Sequence, residues 1–167
     1  MKICCILLVM VLFLSGCQGA MPSETVSDEL LIVTDAPMAE LVVALPENAA
    51  EQTMVGENGD RLYFCDGYSL CIQTLKGGDL SQSLRGLCGY GPEEVSPVKT
   101  VSDGYKRYDW VWVSASEDGD QLGRAMLLDD GIYHYCVSVM ADAAKAGELK
   151  TQWDAIFTSV SLAGQSS

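Results

Sequence analysis

Basic residues are scarce in this chain of 167: ten lysines and arginines stand against 23 aspartates and glutamates, for a net charge of −13. No Lys/Arg run occurs, and a nucleic-acid partner needs such a footprint to displace counterions from phosphate. Nucleic acid is therefore excluded, and an anionic lipid surface would repel the bulk of the chain. Histidine is scarcer still. His134 stands alone, which excludes a multi-histidine metal centre. No apolar run reaches the roughly 20 residues of a membrane-spanning helix. Nor is there a tight Cys-x-x-Cys pair of the kind zinc and dithiol redox sites use. The residues imply no metal and no other cofactor.

The apolar run that is present follows Lys2 and extends from Ile3 to Leu14, closing on Ser15, Gly16 and Cys17. A positive start, an apolar stretch of about 7–15 residues and small residues at the cut make a secretory signal, here residues 1–16. Leu14-Ser15-Gly16-Cys17 resembles the lipobox of bacterial lipoproteins. That resemblance implies cleavage between Gly16 and Cys17 and a diacylglyceryl thioether, with palmitate-like chains, on Cys17. At ~0.8 kcal/mol per buried methylene, two long chains hold a protein on a membrane where one does not. The expected location is the cell envelope, on the extracytoplasmic side of a bacterial membrane. Gln18 follows in place of an aspartate, so inner and outer membranes both stay open.

Residues 17–38 read as the lipidated cysteine and a flexible tether, with Pro22, Pro37 and an acidic Ser27-Asp28-Glu29. A coil of about 20 residues spans on the order of 25 Å. Leu30-Leu31-Ile32-Val33 interrupts it, as a first strand or an apolar piece of linker. Residues 39–163 then form one domain, and residues 164–167 are expected to be a disordered tail. Cys65, Cys71, Cys88 and Cys136 lie beyond the anchor. An even number in an exported chain suits disulfides, while their apolar neighbours suit buried thiols; both readings stand.

Turn signals organise the domain. Asn58-Gly59, Asp66-Gly67, Asp103-Gly104, Asp118-Gly119 and Asp130-Gly131 are hairpin dipeptides, tolerant of the positive φ of type I′ turns. Between them lie strand-like runs at Arg61–Cys65, Tyr68–Leu75, Tyr105–Ala115, Gln121–Asp129 and Ile132–Met140. Leu41–Leu45 and Pro97–Val101 add two more. Leu80, Leu84, Leu87 and Cys88 recur at helical spacing, with Asp79 as N-cap, Gln82 three residues on and Gly89 at the stop. Leu149, Trp153, Ile156, Phe157 and Val160 form a second helical stripe. The strands carry apolar groups on both faces, which requires cover on both. The fold class is α+β: an antiparallel meander sheet flanked by two helices.

A strand ending in Leu45-Pro46, a hairpin, a short helix ending in Gly, a long meander and a terminal helix with Trp153-Asp154-Ala155-Ile156-Phe157-Thr158-Ser159 resemble the PsbP-like (Mog-type) α/β/α sandwich. The resemblance covers about residues 39–163. It implies a binding or assembly module, with no ion- or partner-binding residues of the photosystem proteins carried over.

Chemistry-bearing constellations are few. His134 and Cys136 share a strand face, but Cα atoms at i and i+2 stand nearly 7 Å apart, beyond a nucleophilic pair. Glu117-Asp118-Gly119-Asp120 and Asp129-Asp130-Gly131 lack the alternating oxygen ligands and distant glutamate of a calcium loop. Gly86 to Gly91 place glycines at a helix end, whereas a phosphate cradle needs them at a start. Gly67-Tyr68-Ser69-Leu70-Cys71 lacks the second glycine of a nucleophile elbow. Tyr108, Trp110 and Trp112 on one strand, with Tyr133 and Tyr135 on another, read first as core. On a partly covered face they would line a groove for a peptide, glycan or lipid. The expected function is non-catalytic binding, as an adaptor for an envelope protein. A small-ligand carrier is the alternative, and an enzyme a distant one.

Overall fold

The computed structural model describes residues 37–52, 60–102, 104–115, 117 and 119–163. The expected signal peptide 1–16, Cys17, the expected tether as far as residue 36 with Leu30–Val33, the expected turn at Asn58-Gly59, Asp103, Asp118 and the expected tail 164–167 lie outside the described residues. The elements in chain order are β1 (Glu40–Val42), β2 (Ala50–Gln52), β3 (Arg61–Cys65), β4 (Tyr68–Lys76), α1 (Leu80–Cys88), α2 (Pro92–Val95), β5 (Val98–Ser102), β6 (Tyr105–Ser114), β7 (Gln121–Asp129), β8 (Tyr133–Asp142), α3 (Ala146–Ser159) and β9 (Ser161–Ala163).

Seven strands form one antiparallel sheet in the order β2-β3-β4-β8-β7-β6-β5, and β1 pairs separately with β9. A single continuous meander does not result. Two meanders, β2-β3-β4 and β5-β6-β7-β8, meet where β4 pairs with β8 along its whole length, Tyr68 opposite Ala141 and Lys76 opposite Tyr133. The segment bearing α1 and α2 carries the chain from the middle of the sheet to its far edge before β5 begins.

Side-chain alternation sorts the core into two layers. Tyr68, Leu70 and Ile72 of β4 and Tyr135, Val137 and Val139 of β8 pack against Leu149, Trp153, Ile156 and Phe157 of α3. Across the sheet, Trp110, Trp112, Ala125, Leu127 and Cys136 pack against Leu84 of α1.

Local chemistry sets the boundaries. Asp79 Oδ1 accepts the Ser81 N–H at 2.9 Å, and Gly89 turns left-handed at φ 83° to stop α1. Strand β8 begins at Tyr133, one residue later than the alternation predicts. Asp130 Oδ1 accepts the N–H groups of Ile132 (2.8 Å) and Tyr133 (2.6 Å), and its Oδ2 accepts the Tyr135 hydroxyl (2.9 Å), so the turn runs on through Ile132.

Candidate functional site

The aromatic strip of β6 is mostly interior. Trp110 and Trp112 are 4% and 5% exposed, with ring centroids 6.5 Å apart beneath α1. Tyr108 packs against the same cluster and is partly buried. Trp112 lies flat over Gly123 of β7, its register partner, and a Cβ there would collide with the indole. Tyr133 and Tyr135 belong to the α3 layer on the opposite face, so the two aromatic groups do not line one groove.

What reaches solvent is the other parity of β6. Strand β5 pairs only as far as Val98 opposite Asp109, while β6 runs on to Ser114. From Trp110 onward β6 has β7 on one side and no described strand on the other. Val111 and Val113 are 55% and 49% exposed there. Helix α2 packs beside this half-edge, with Val95 against the Trp110 and Trp112 cluster, and an open groove of about 370 Å³ runs along the junction, lined by Tyr90, Glu94, Val95, Val111, Trp112 and Val113. The Tyr90 hydroxyl donates to the Val113 carbonyl at 3.0 Å. Glu94 is held in place by the Gly91 N–H, which donates to its Oε2 at 2.7 Å, and by Arg85 at 3.7 Å.

A second open groove of about 440 Å³ shares Val111 and continues under the start of α3. Its rim is charged: Arg124 and Lys150 both bind the Asp154 carboxylate, at 2.6 and 2.5 Å, and Arg124 lies over the Phe157 ring at 4.5 Å. These edge features were missed in the sequence. Their one signal was valine at the odd positions of β6, alternating with the tryptophans.

The polar interior centres on His134, which is 1% exposed. Its Nδ1 meets the Ser83 hydroxyl of α1 at 2.8 Å, and its Nε2 lies 3.9 Å from Asp129, whose carboxylate takes the Lys106 ammonium at 3.1 Å. Ser83, not Cys136, is thus the partner of the histidine. Burial lowers the His134 pKa, against the opposing pull of Asp129 and Asp130. The constellation has nucleophile, base and carboxylate, and two of the neighbouring N–H groups are committed elsewhere: Gly77 donates to Ile132 at 2.7 Å and Ser83 to Asp79 at 3.1 Å. What this array does visibly is pin α1 to β8.

Cys65, Cys71, Cys88 and Cys136 are free thiols. Burial pushes the pKa of Cys71 up to about 11 and raises those of Cys65 and Cys136, so these sulfurs stay protonated and poorly nucleophilic. Among the described residues no three His, Cys, Asp or Glu side chains gather as a metal set. No described helix is long and apolar enough to cross a membrane.

No family model and no curated protein matches the chain. Solved structures do. The solution structure of CyanoP, the cyanobacterial PsbP of Synechocystis sp. PCC 6803, superposes with a TM-score of 0.53 at 10% identity, covering 89% of this chain and 98% of that one. LpqN of Mycobacterium tuberculosis, involved in cell envelope biogenesis, gives 0.51 at 7% identity over 78% of this chain and 87% of its own. A Bacteroides thetaiotaomicron protein gives 0.51 at 10% identity over 75% of this chain, which spans 46% of that protein's length. The described domain has a PsbP-like fold.

Proposed function

We propose that this chain is a lipid-anchored, non-catalytic binding domain of a bacterial cell envelope, acting as an adaptor for another envelope protein. The observation that carries this reading is the half-edge of β6 that no described strand pairs, where exposed Val111 and Val113 border an open groove. Exposed apolar surface along a free strand edge is characteristic of protein docking. Two supports stand beside it: the Leu14-Ser15-Gly16-Cys17 lipobox resemblance, and the likeness in fold to LpqN, a protein of cell envelope biogenesis. In its finer form the fold reading is a PsbP-like α/β/α sandwich, with α1 and α2 as one layer and α3 as the other.

The anchor is tested by growing cells with a labelled fatty acid. Label on the wild type and none on Cys17→Ala, which should leave the membrane fraction, is the expected result; an unlabelled wild type would remove the anchor. The adaptor role is tested by cross-linking the native protein in its membranes and identifying what is captured. One stoichiometric protein is expected. The carrier alternative draws on the 440 Å³ groove, whose volume suits a small ligand; a partnerless capture retaining a small molecule would favour it.

A further inference from the structure

The backbone of the open half-edge specifies its occupant. The Val113 carbonyl points away from β7, because it accepts the Tyr90 hydroxyl at 3.0 Å. In an antiparallel ladder alternate residues turn N–H and C=O to the same side. The N–H and C=O of Val111 and the N–H of Val113 therefore face the groove in front of α2, where no described strand meets them. Trp110–Ser114 offers roughly 17 Å of edge at about 3.4 Å per residue, with exposed valine side chains on one face and the rim of Trp112 on the other. Such an edge pairs with an extended chain bearing apolar groups at alternate positions.

Charge narrows the choice. Glu94 lines the groove and Glu93 precedes it, against the single Arg85 that pairs with both. Glu117 and Asp120 stand in the turn that follows β6, and the chain carries −13 in all. Arg124 and Lys150, which line the adjoining groove, are both engaged by Asp154. The chain's own apolar segment, Leu30–Val33, is bracketed by Asp28, Glu29 and Asp35, all of the wrong sign. A second copy would bring the same acidic edge. We infer that the β6 half-edge is a strand-addition site for an extended segment of a partner protein, apolar at alternate positions and flanked by lysine or arginine. This rests on the adaptor reading and names the chemistry of its partner.

The test uses the lipidated chain from Cys17 onward in detergent micelles, and a synthetic peptide of alternating valine and threonine with a pair of lysines at each end. Hydrogen exchange at the amides of β6 is followed during titration. The expected result is saturable slowing at Val111 and Val113, with affinity at least tenfold above that of the same peptide flanked by glutamates. Val111→Lys and Val113→Lys, both on exposed positions, should each weaken binding at least tenfold, whereas Phe64→Lys, on exposed β3 surface, should not. Equal binding of both peptides, slowing elsewhere, or no saturation would each overturn the proposal. So would edge amides already slow without peptide: release on deleting residues 28–35 would assign the edge to the tether, and concentration dependence to a second copy. Failure here would leave capture of a stoichiometric partner intact, so the adaptor reading falls only by its own experiment.

Discussion

At the scale of single residues, buried polarity dominates. His134 is closed off from solvent, and burial keeps its pKa below the usual 6.5. The unfolded chain therefore binds a proton on it more readily, and stability should fall as pH drops through about 6.5 towards the folded value. Asp129 acts at lower pH. Burial raises its pKa, but the Gly131 N–H and the Lys106 ammonium outweigh that and hold it below the ordinary carboxylate value of 3.8. Its contribution is lost only in stronger acid, as pH falls through the folded value. Melting temperature between pH 7.5 and 5 should decline in the wild type and much less in His134→Gln, which can still bond Ser83; identical slopes would assign the decline elsewhere. Ser83→Ala strands the Nδ1 of His134 and should cost about 1–3 kcal/mol by urea unfolding. Trp110→Ala should cost about 3–5 kcal/mol. That loss would mark the indole as core, and an unchanged midpoint would return it to the list of ligand contacts.

Individual elements show where the sequence was legible. Helix α1 was readable to the residue, because its stop and start signals act over one turn: Asp79 caps it and Gly89 ends it in φ 83°. Asp79→Ala should lower stability by about 1 kcal/mol, visible as a shift of the denaturation midpoint at unchanged slope. The stripe Leu149, Trp153, Ile156 and Phe157 was equally plain, and all four are buried in α3. Strands β3 and β7 kept their expected bounds. Short β2 and β9 were invisible, since three residues carry no periodicity and β9 finds its partner, β1, at the far end of the domain. The one-turn helix Pro92–Val95 escaped for the same reason, although Gly91-Pro92-Glu93-Glu94 holds its N-terminal signal. Gly123 was unreadable as anything but a weak strand residue, yet it makes room for Trp112. Gly123→Ala should destabilise by about 1–3 kcal/mol through that collision.

For the molecule as a whole, two meanders joined through β4 and β8 leave the sheet with unequal flanks. Leu149, Trp153, Ile156 and Phe157 of α3 pack into one core layer and Leu84 of α1 into the other, and no described strand pairs with the end of β6, where a groove runs beside α2. The same closure buries or half-buries all four thiols of the domain. Denaturing the unreduced chain should therefore expose four titratable thiols at Cys65, Cys71, Cys88 and Cys136, and in the native chain these four should react far more slowly. A count of two would mean one disulfide and a different approach of strands.

The sequence by itself determined the class of the described part of the chain: acidic and α+β, with its helix caps, hairpin turns and two-sided strands. Those properties are written in charge, in dipeptides and in periods of 2 and 3.6, all of which act locally. Only the tertiary structure decided that β4 meets β8, that Ser83 rather than Cys136 reaches His134, and that β6 outruns β5 to leave an open edge. Each of those depends on register between segments far apart in the chain, and register is fixed by packing of the whole sheet against its helices.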